Sequence, residues 1–322
     1  MIALSNNTIL KVENLKVYYY TFSGVVKAVD GVSFDLKKGE TLGLAGESGC
    51  GKSTLGFSLL NLVPPPGRIS DGHIYLDGMD IAEMEESELR KKVRWKKISM
   101  VFQGAMNALT PVYTIGKQLA EPLMIHGGMD YNEAIERAKE ILPKVGLDPK
   151  IINRYPHELS GGMKQRVMIA MALLLNPDIV IADEPTTALD VIVQAQILNL
   201  LKKLRKEFGI SLILISHDLS IMAEVVEKIA IMYAGKFAEY GYSDDIFKDP
   251  KHPYTQGLIK SIPKLTEKGL HYIPGQPPDL RDPPKGCRFA DRCPFAFDKC
   301  FKEDPPMFKM PNNRYVACWL YE

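Results

Sequence analysis

The sequence predicts an α/β core followed by a small, irregular second module, and three observations carry that expectation. Leu42-Gly43-Leu44-Ala45 reads as a short buried strand that enters Gly46-Glu47-Ser48-Gly49-Cys50-Gly51-Lys52-Ser53-Thr54 and is followed by a helix-like Leu55 to Leu62. Ile179-Val180-Ile181-Ala182 is a second apolar strand, and it ends in two acids, Asp183 and Glu184. After about residue 240 the composition shifts. Of 22 prolines, 12 lie between Pro250 and Pro311, and four of five cysteines lie between Cys287 and Cys318.

Composition bounds the rest. A chain of 322 residues, 46% apolar and 25% charged, has ample length for a hydrophobic core. Its net charge of +1 gives no broad electrostatic attraction to nucleic acid. The longest apolar run, Val167 to Leu175, covers nine residues, well short of the ~20 that cross a bilayer. Met1 to Asn7 lacks the charged start and apolar core of a secretory signal, so a cytosolic location is expected. No internal repeat or low-complexity tract occurs.

Gly46 to Thr54 fits G-x-x-x-x-G-K-S/T, a loop that wraps phosphates. Glycines let consecutive backbone N–H groups turn inward as an anion nest, and a helix N-terminus adds partial positive charge. Lys52 can reach the β- and γ-phosphates, and the Ser53 hydroxyl can ligate Mg²⁺. The strand Ile179 to Ala182 would deliver Asp183 to the metal side of the phosphates, with Glu184 orienting or deprotonating an attacking water. Ser160-Gly161-Gly162 can open a helix running through Arg166 to Leu175, its free N–H groups aimed outward. Taken singly, acids at a strand end and a serine N-cap are ordinary features. Beside the phosphate loop they form a constellation.

Other segments read from pattern alone. Leu10 to Val17 is strand-like and leads into Tyr18-Tyr19-Tyr20, while Leu212 to Ile215 is a strand before His217. Met129 to Val145 has helical spacing at Ile135, Ala138, Ile141 and Leu142. Arg90 to Lys97 carries six basic residues in eight, but Glu83, Glu85, Glu86 and Glu88 precede it. A helix laced by salt bridges is expected there rather than a nucleic-acid contact.

These motifs together resemble those of ATP-binding cassette (ABC) ATPases. The resemblance implies an ABC-type P-loop core with an antiparallel β-layer, formed mainly by residues 10–40 and 72–77. It also implies an inserted helical subdomain at about 104–176 and a small Cys-rich C-terminal module. ATP would be held by Tyr19 stacking on adenine and by Gly46, Ser48, Gly49, Cys50, Gly51, Lys52, Ser53 and Thr54. Ser160, Gly161 and Gly162 would grip the γ-phosphate held by the opposite subunit, and Asp190 of Ala188-Leu189-Asp190 would cross between the two sites. Mg²⁺ would meet Ser53, Gln103 and Asp183, while Glu184, His217 and Lys52 would serve the chemistry. Met163 departs from the glutamine of the commonest signature, but it lies past the phosphate-facing N–H groups, so no loss of clamping is expected.

Only 107 residues separate Lys52 from Ser160, without sustained heptads, which excludes the coiled-coil DNA-repair type. A single phosphate loop disfavours the tandem type. His252-Pro253-Tyr254-Thr255-Gln256, Ser261-Ile262-Pro263, Pro274-Gly275-Gln276-Pro277-Pro278 and the run Gly286-Cys287-Arg288-Phe289 through Cys293-Pro294 resemble the ATPase subunits of dipeptide and oligopeptide importers, including relatives that import nickel. That implies a nucleotide-binding domain over 1–240 and an extension over 241–322. The implied partners are two membrane permease subunits, a second ATPase (a copy or a paralogue) and, indirectly, an external solute-binding protein. No nucleic acid is implied, and the place is the cytoplasmic face of the membrane. Soluble ABC ATPases of cluster biogenesis or nucleic-acid metabolism are the rival class, and a nucleotide-gated scaffold is a third that Glu184 counts against.

Cys287, Cys293, Cys300 and Cys318 are spaced by 5, 6 and 17 residues in a tail with few apolar residues to build a core. Such a module usually needs a covalent or metal staple. A reducing compartment argues against disulfides. Zinc suits four cysteines but favours tight C-x₂₋₄-C pairs, absent here, and the peptide-importer resemblance implies a [4Fe–4S] cluster instead.

Overall fold

The structure, a computed structural model, describes residues 7–104, 107–262 and 272–322. Residues 105–106 of the expected helical stretch and Pro263 of the Ser261-Ile262-Pro263 motif lie outside the described residues. The chain forms two compact units. One takes in the chain up to Leu36, Thr41–Glu83 and Leu214–Glu322, and the other Lys37–Glu40 and Met84–Ile213.

The first unit opens with β1 (Thr8–Thr21), β2 (Gly24–Lys37), β3 (Thr41–Ala45), α1 (Lys52–Ser58), β4 (Gly67–Leu76) and β5 (Met79–Asp80). A four-stranded sheet in the order β2-β1-β4-β5 is the expected β-layer. In β1 Ile9 is buried at the strand's start, and beyond it the buried side chains are Leu10 and Val12, then Leu15 and Val17. A strand alternates faces every residue, so that slip from even to odd positions needs an extra residue. The register against β4 shifts between Glu13 and Lys16, and Asn14 takes the left-handed backbone there, φ 46°.

The second unit holds α2 (Glu86–Glu88), β6 (Ile98–Val101), α3 (Ile115–Gly127), α4 (Tyr131–Lys144), α5 (Gly161–Leu173), β7 (Ile179–Asp183), α6 (Val191–Phe208) and most of β8 (Ser211–Ile215). Strands β6 and β7 pair in parallel, Ile98 beside Ile179 through Val101 beside Ala182, and every residue of both is buried. Continuous apolar runs are what a parallel strand covered on both faces requires. Helix α4 starts in a full capping box, Asp130 accepting from Asn132 and Glu133 N–H while Glu133 accepts from Asp130 N–H. Ala138, Ile141 and Leu142 are buried as the spacing predicts. Ala134 joins them, and Ile135 is only half-buried.

The basic stretch departs from its expected helix. One turn of α2 runs into a wider turn at Leu89–Val93, and Trp95 is left-handed, φ 69°, which ends helical geometry. The expected salt bridges are present: Lys92 to Glu88 at 2.6 Å, and a two-pronged Arg94 to Glu86 at 2.6 and 3.0 Å. These charges satisfy one another.

The chain then returns to the first unit with α7 (Leu219–Val225), β9 (Lys228–Tyr233), β10 (Lys236–Tyr242), α8 (Ser243–Lys248), α9 (Pro253–Lys260), α10 (Asp298–Lys302), β11 (Phe308–Met310) and β12 (Arg314–Val316). Strand β3 runs parallel to β9, and β10 pairs antiparallel with both β9 and β12. The Cys-rich tail is therefore less irregular than its composition suggests, since its last strands extend the sheet that carries β3. Among the described residues no helix is long and apolar enough to cross a membrane.

Candidate nucleotide-binding site and cysteine module

The phosphate loop leaves β3 and enters α1 at Lys52, three residues earlier than the apolar pattern places the helix. Sterics dictate its glycines. Gly46 has φ 150° and Gly51 φ 107°; a Cβ at Gly46 would run into the Met232 carbonyl, and one at Gly51 into the Ala28 carbonyl. Only glycine fits such a backbone this close to its neighbours. Helix α1 ends after seven residues, because Asn61 turns left-handed, φ 48°, and donates its side-chain amide to the Ile81 and Ala82 carbonyls at 3.4 and 3.3 Å.

Lys52 is buried, and its Nζ donates to the Gly46 and Glu47 carbonyls at 2.8 and 3.0 Å. Ser48 and Gly49 are exposed; Ser53 and Thr54 are half-buried. Burial raises the thiol pKa of Cys50 above its ordinary value, so this cysteine stays neutral beside the lysine. The Glu47 backbone N–H donates to the Tyr254 hydroxyl at 2.9 Å, which puts the His252-Pro253-Tyr254 motif directly behind the loop.

The three consecutive tyrosines separate cleanly. Tyr18 donates its hydroxyl to Asp30 at 2.6 Å, and Tyr20 lies under the Arg68 guanidinium, 4.2 Å from the ring centroid. Tyr19 is the one whose hydroxyl reaches the loop, 3.2 Å from Thr54 Oγ1. His217 is exposed just after β8, where Ser216 N–H donates to the Leu44 carbonyl of β3 at 3.2 Å.

The remaining predicted residues fall in the second unit. Asp183 ends β7 and is 1% exposed. Glu184 follows with φ 45°, a left-handed turn uncommon for a residue with a side chain and of the kind found at functional sites. Its Oε2 accepts from Gln103 Nε2 at 3.0 Å and from Thr187 Oγ1 at 2.9 Å. Gln103 and Glu184, 81 residues apart, are thus brought together. Ser160 caps α5 by accepting from Met163 N–H at 3.3 Å and is exposed. Gly162 leaves room for Val193 of α6, whose methyl would stand 2.8 Å from a Cβ there. Asp190 caps α6, accepting from Val193 N–H at 2.9 Å.

Residues 29–187 match the ABC transporter family, and residues 238–300 match the oligopeptide/dipeptide transporter C-terminal region. The chain is 48% identical over 97% of its length to 88% of the oligopeptide transport ATP-binding protein OppD of Bacillus subtilis. It is 47% identical over 98% of its length to 95% of the dipeptide transport ATP-binding protein DppD of the same organism.

The chain belongs to the ATP-binding subunits of oligopeptide/dipeptide ABC transporters.

The solved dimeric ABC transporter cassette MJ0796 matches it with a TM-score of 0.63 and 34% identity, over 73% of this chain and 98% of that one. A post-hydrolysis dimer of the same cassette, bound to ADP and Pi, gives 0.63 and 33% over the same shares. The ABC ATPase fold is therefore shared, and ATP hydrolysis is this ABC subunit's activity.

The cysteine module needs a correction of detail. Among the described residues, no group of three or more His, Cys, Asp or Glu side chains is arranged to hold a metal ion. All four of Cys287, Cys293, Cys300 and Cys318 do line one small cavity, walled by His252, Phe289 and Trp319. Burial, aided by the other three cysteines, pushes the Cys287 thiol up to about 12, and burial raises Cys293 and Cys318 as well. Cys287 N–H donates to the Cys300 carbonyl at 2.8 Å, tying the first and third cysteines together through backbone.

Proposed function

We propose that this chain is the ATP-hydrolysing subunit of an importer for di- or oligopeptides. The observation that carries this is the phosphate loop, held by glycine sterics against β9, in a chain related over nearly its whole length to named peptide-transport subunits. In this reading residues 1–240 bind nucleotide and 241–322 are the transporter-specific extension. Two permease subunits and a second ATPase complete the machine at the cytoplasmic face, with an external binding protein choosing the solute.

Each residue's part follows from its chemistry. Tyr19 offers adenine a ring face, and the backbone of Gly46 to Thr54 with Lys52 neutralises phosphate charge. Ser53, Gln103 and Asp183 carry the hard oxygen donors that would hold Mg²⁺, and the ion would supply charge neutralisation for the phosphates. Glu184, its carboxylate aimed by Gln103 and Thr187, orients the attacking water, with His217 near the γ-phosphate. Ser160, Gly161 and Gly162 complete the partner's site, and Asp190 lies at the crossing between sites.

Glu184→Gln is expected to keep ATP affinity while turnover falls by roughly three powers of ten, about 4 kcal/mol. A wild-type phosphate-release rate for the purified variant would remove Glu184 from this role.

The [4Fe–4S] reading of Cys287, Cys293, Cys300 and Cys318 rests on the peptide-importer resemblance together with the one small cavity that all four line. In such a cluster each iron takes one thiolate, so four sulfurs can surround a volume without meeting at a point. Buried thiols that raise one another's pKa need a cationic centre before they ionise together, and iron supplies it. Anaerobically purified chain should be brown, with about four iron and four sulfide per chain. Stoichiometric zinc in a colourless preparation would refute the cluster.

A further inference from the structure

Glu47 stands at a variable position of the phosphate-loop pattern, yet it is held on three sides. Its N–H donates to Tyr254, its carbonyl accepts from Lys52, and its carboxylate receives a fork from Arg292. The fork is planar and two-pronged, Nη1 to Oε2 at 2.8 Å and Nη2 to Oε1 at 2.9 Å, across 245 residues of sequence. Arg292 has only 5% of its side chain exposed. It spends its other donors on the Pro274 carbonyl at 2.8 Å, the Ile273 carbonyl at 3.3 Å and the Tyr233 hydroxyl at 3.1 Å.

Two further features show that the fork is built. Tyr233, Tyr254 and Phe289 pack with ring centroids 4.5, 5.2 and 5.4 Å apart, forming a rigid block beside it. Arg292 itself ends a short turn, Ala290–Arg292, lying between Cys287 and Cys293. At the other end of that segment Arg288 bonds to Asp30 and to the Ala234 carbonyl. The segment between two cysteines is thus fastened to the β-layer at one end and to the phosphate loop at the other.

We propose that Arg292 is a positioning residue for nucleotide binding, and that through the Arg292–Glu47 fork the C-terminal module sets the affinity of the phosphate loop for ATP. A lysine could supply the charge but not the fork, since a guanidinium matches both carboxylate oxygens at once. When the fork is removed, the Glu47 peptide is freed to turn, and with it the carbonyl that holds Lys52. The module then acts as a regulatory strap, which lets the state of the cysteine segment be read as ATP affinity. This inference rests on reading residues 46–54 as the phosphate loop.

The test uses the full chain and Mg·ATP titrated by calorimetry, alongside unfolding midpoints. Arg292→Met and Glu47→Gln are each expected to weaken ATP about tenfold, ~1.4 kcal/mol. The double variant should be no weaker than the worse single one, and Arg292→Lys should fall between. Glu47→Gln, at a partly exposed side chain, keeps the fold testable if Arg292→Met unfolds. Lowered unfolding midpoints with unchanged ATP affinity, or additive losses in the double variant, would overturn the proposal. Lys52→Ala separates the two claims: if it bound ATP normally, the loop reading itself would fail, whatever Arg292 does.

Discussion

The phosphate loop and the cysteine module are neighbours built on opposite principles. The loop is determined by what cannot fit: at Gly46 and Gly51 a single added carbon would strike backbone oxygens, so shape follows from local sequence. The module is determined by what must be paired. Its regular elements are short, and charged side chains reaching into the body of the first unit hold it there. Glu239 shows this best. With 0% of its side chain exposed, it accepts from Arg314 Nε at 2.8 Å and from the Lys251 and His252 backbone N–H groups at 3.1 and 3.0 Å. The lesson is that exclusion leaves a motif in the sequence, whereas long-range pairing leaves only scattered charges.

That contrast can be broken most directly at Glu239. Replacing it by alanine strands a buried guanidinium and two backbone donors, and a loss of about 3–5 kcal/mol in unfolding free energy is expected. Glu239→Gln retains an acceptor for the N–H groups and should cost less. Denaturant titration decides the matter. A loss under about 1 kcal/mol for the alanine variant would mean that hydrophobic packing, not polar anchoring, fastens the tail.

Legibility follows the same division. Strand β3, the loop, β7 with its acids, the Ser160 cap and most of the buried face of α4 were readable because each is written in consecutive or helically spaced residues. The start of α1 is hidden from the pattern because Lys52-Ser53-Thr54 is polar, and apolar periodicity begins only at Leu55. The basic stretch looked helical because pattern reading does not foresee a left-handed Trp95. Strands β11 and β12, three residues each, are too short to show alternation, and proline runs surround them. Tyr254, Arg288 and Arg292 belong to the C-terminal motifs, but nothing local reveals that their partners are Glu47, Asp30 and Ala234. Such partners become visible only once the sheet has folded the chain back on itself.

Tyr19 tests the loop's side of the comparison with the smallest effect. Of three consecutive tyrosines, Tyr18 is committed to Asp30 and Tyr20 to Arg68, while Tyr19 sets its hydroxyl beside Thr54 and is the ring that the proposed function assigns to adenine. Stacking of a base on an aromatic ring is worth about 1–3 kcal/mol. Tyr19→Ser should therefore weaken ATP by roughly five- to a hundredfold, with little effect on the turnover of bound nucleotide. Tyr19→Phe keeps the ring and gives up only the hydroxyl contact to Thr54, so it should bind within about twofold of wild type. Tyr18→Phe should leave affinity unchanged, because its hydroxyl serves the β-layer. Equal losses for Tyr19→Phe and Tyr19→Ser would show that the Thr54 hydrogen bond, not the ring face, is what the site uses.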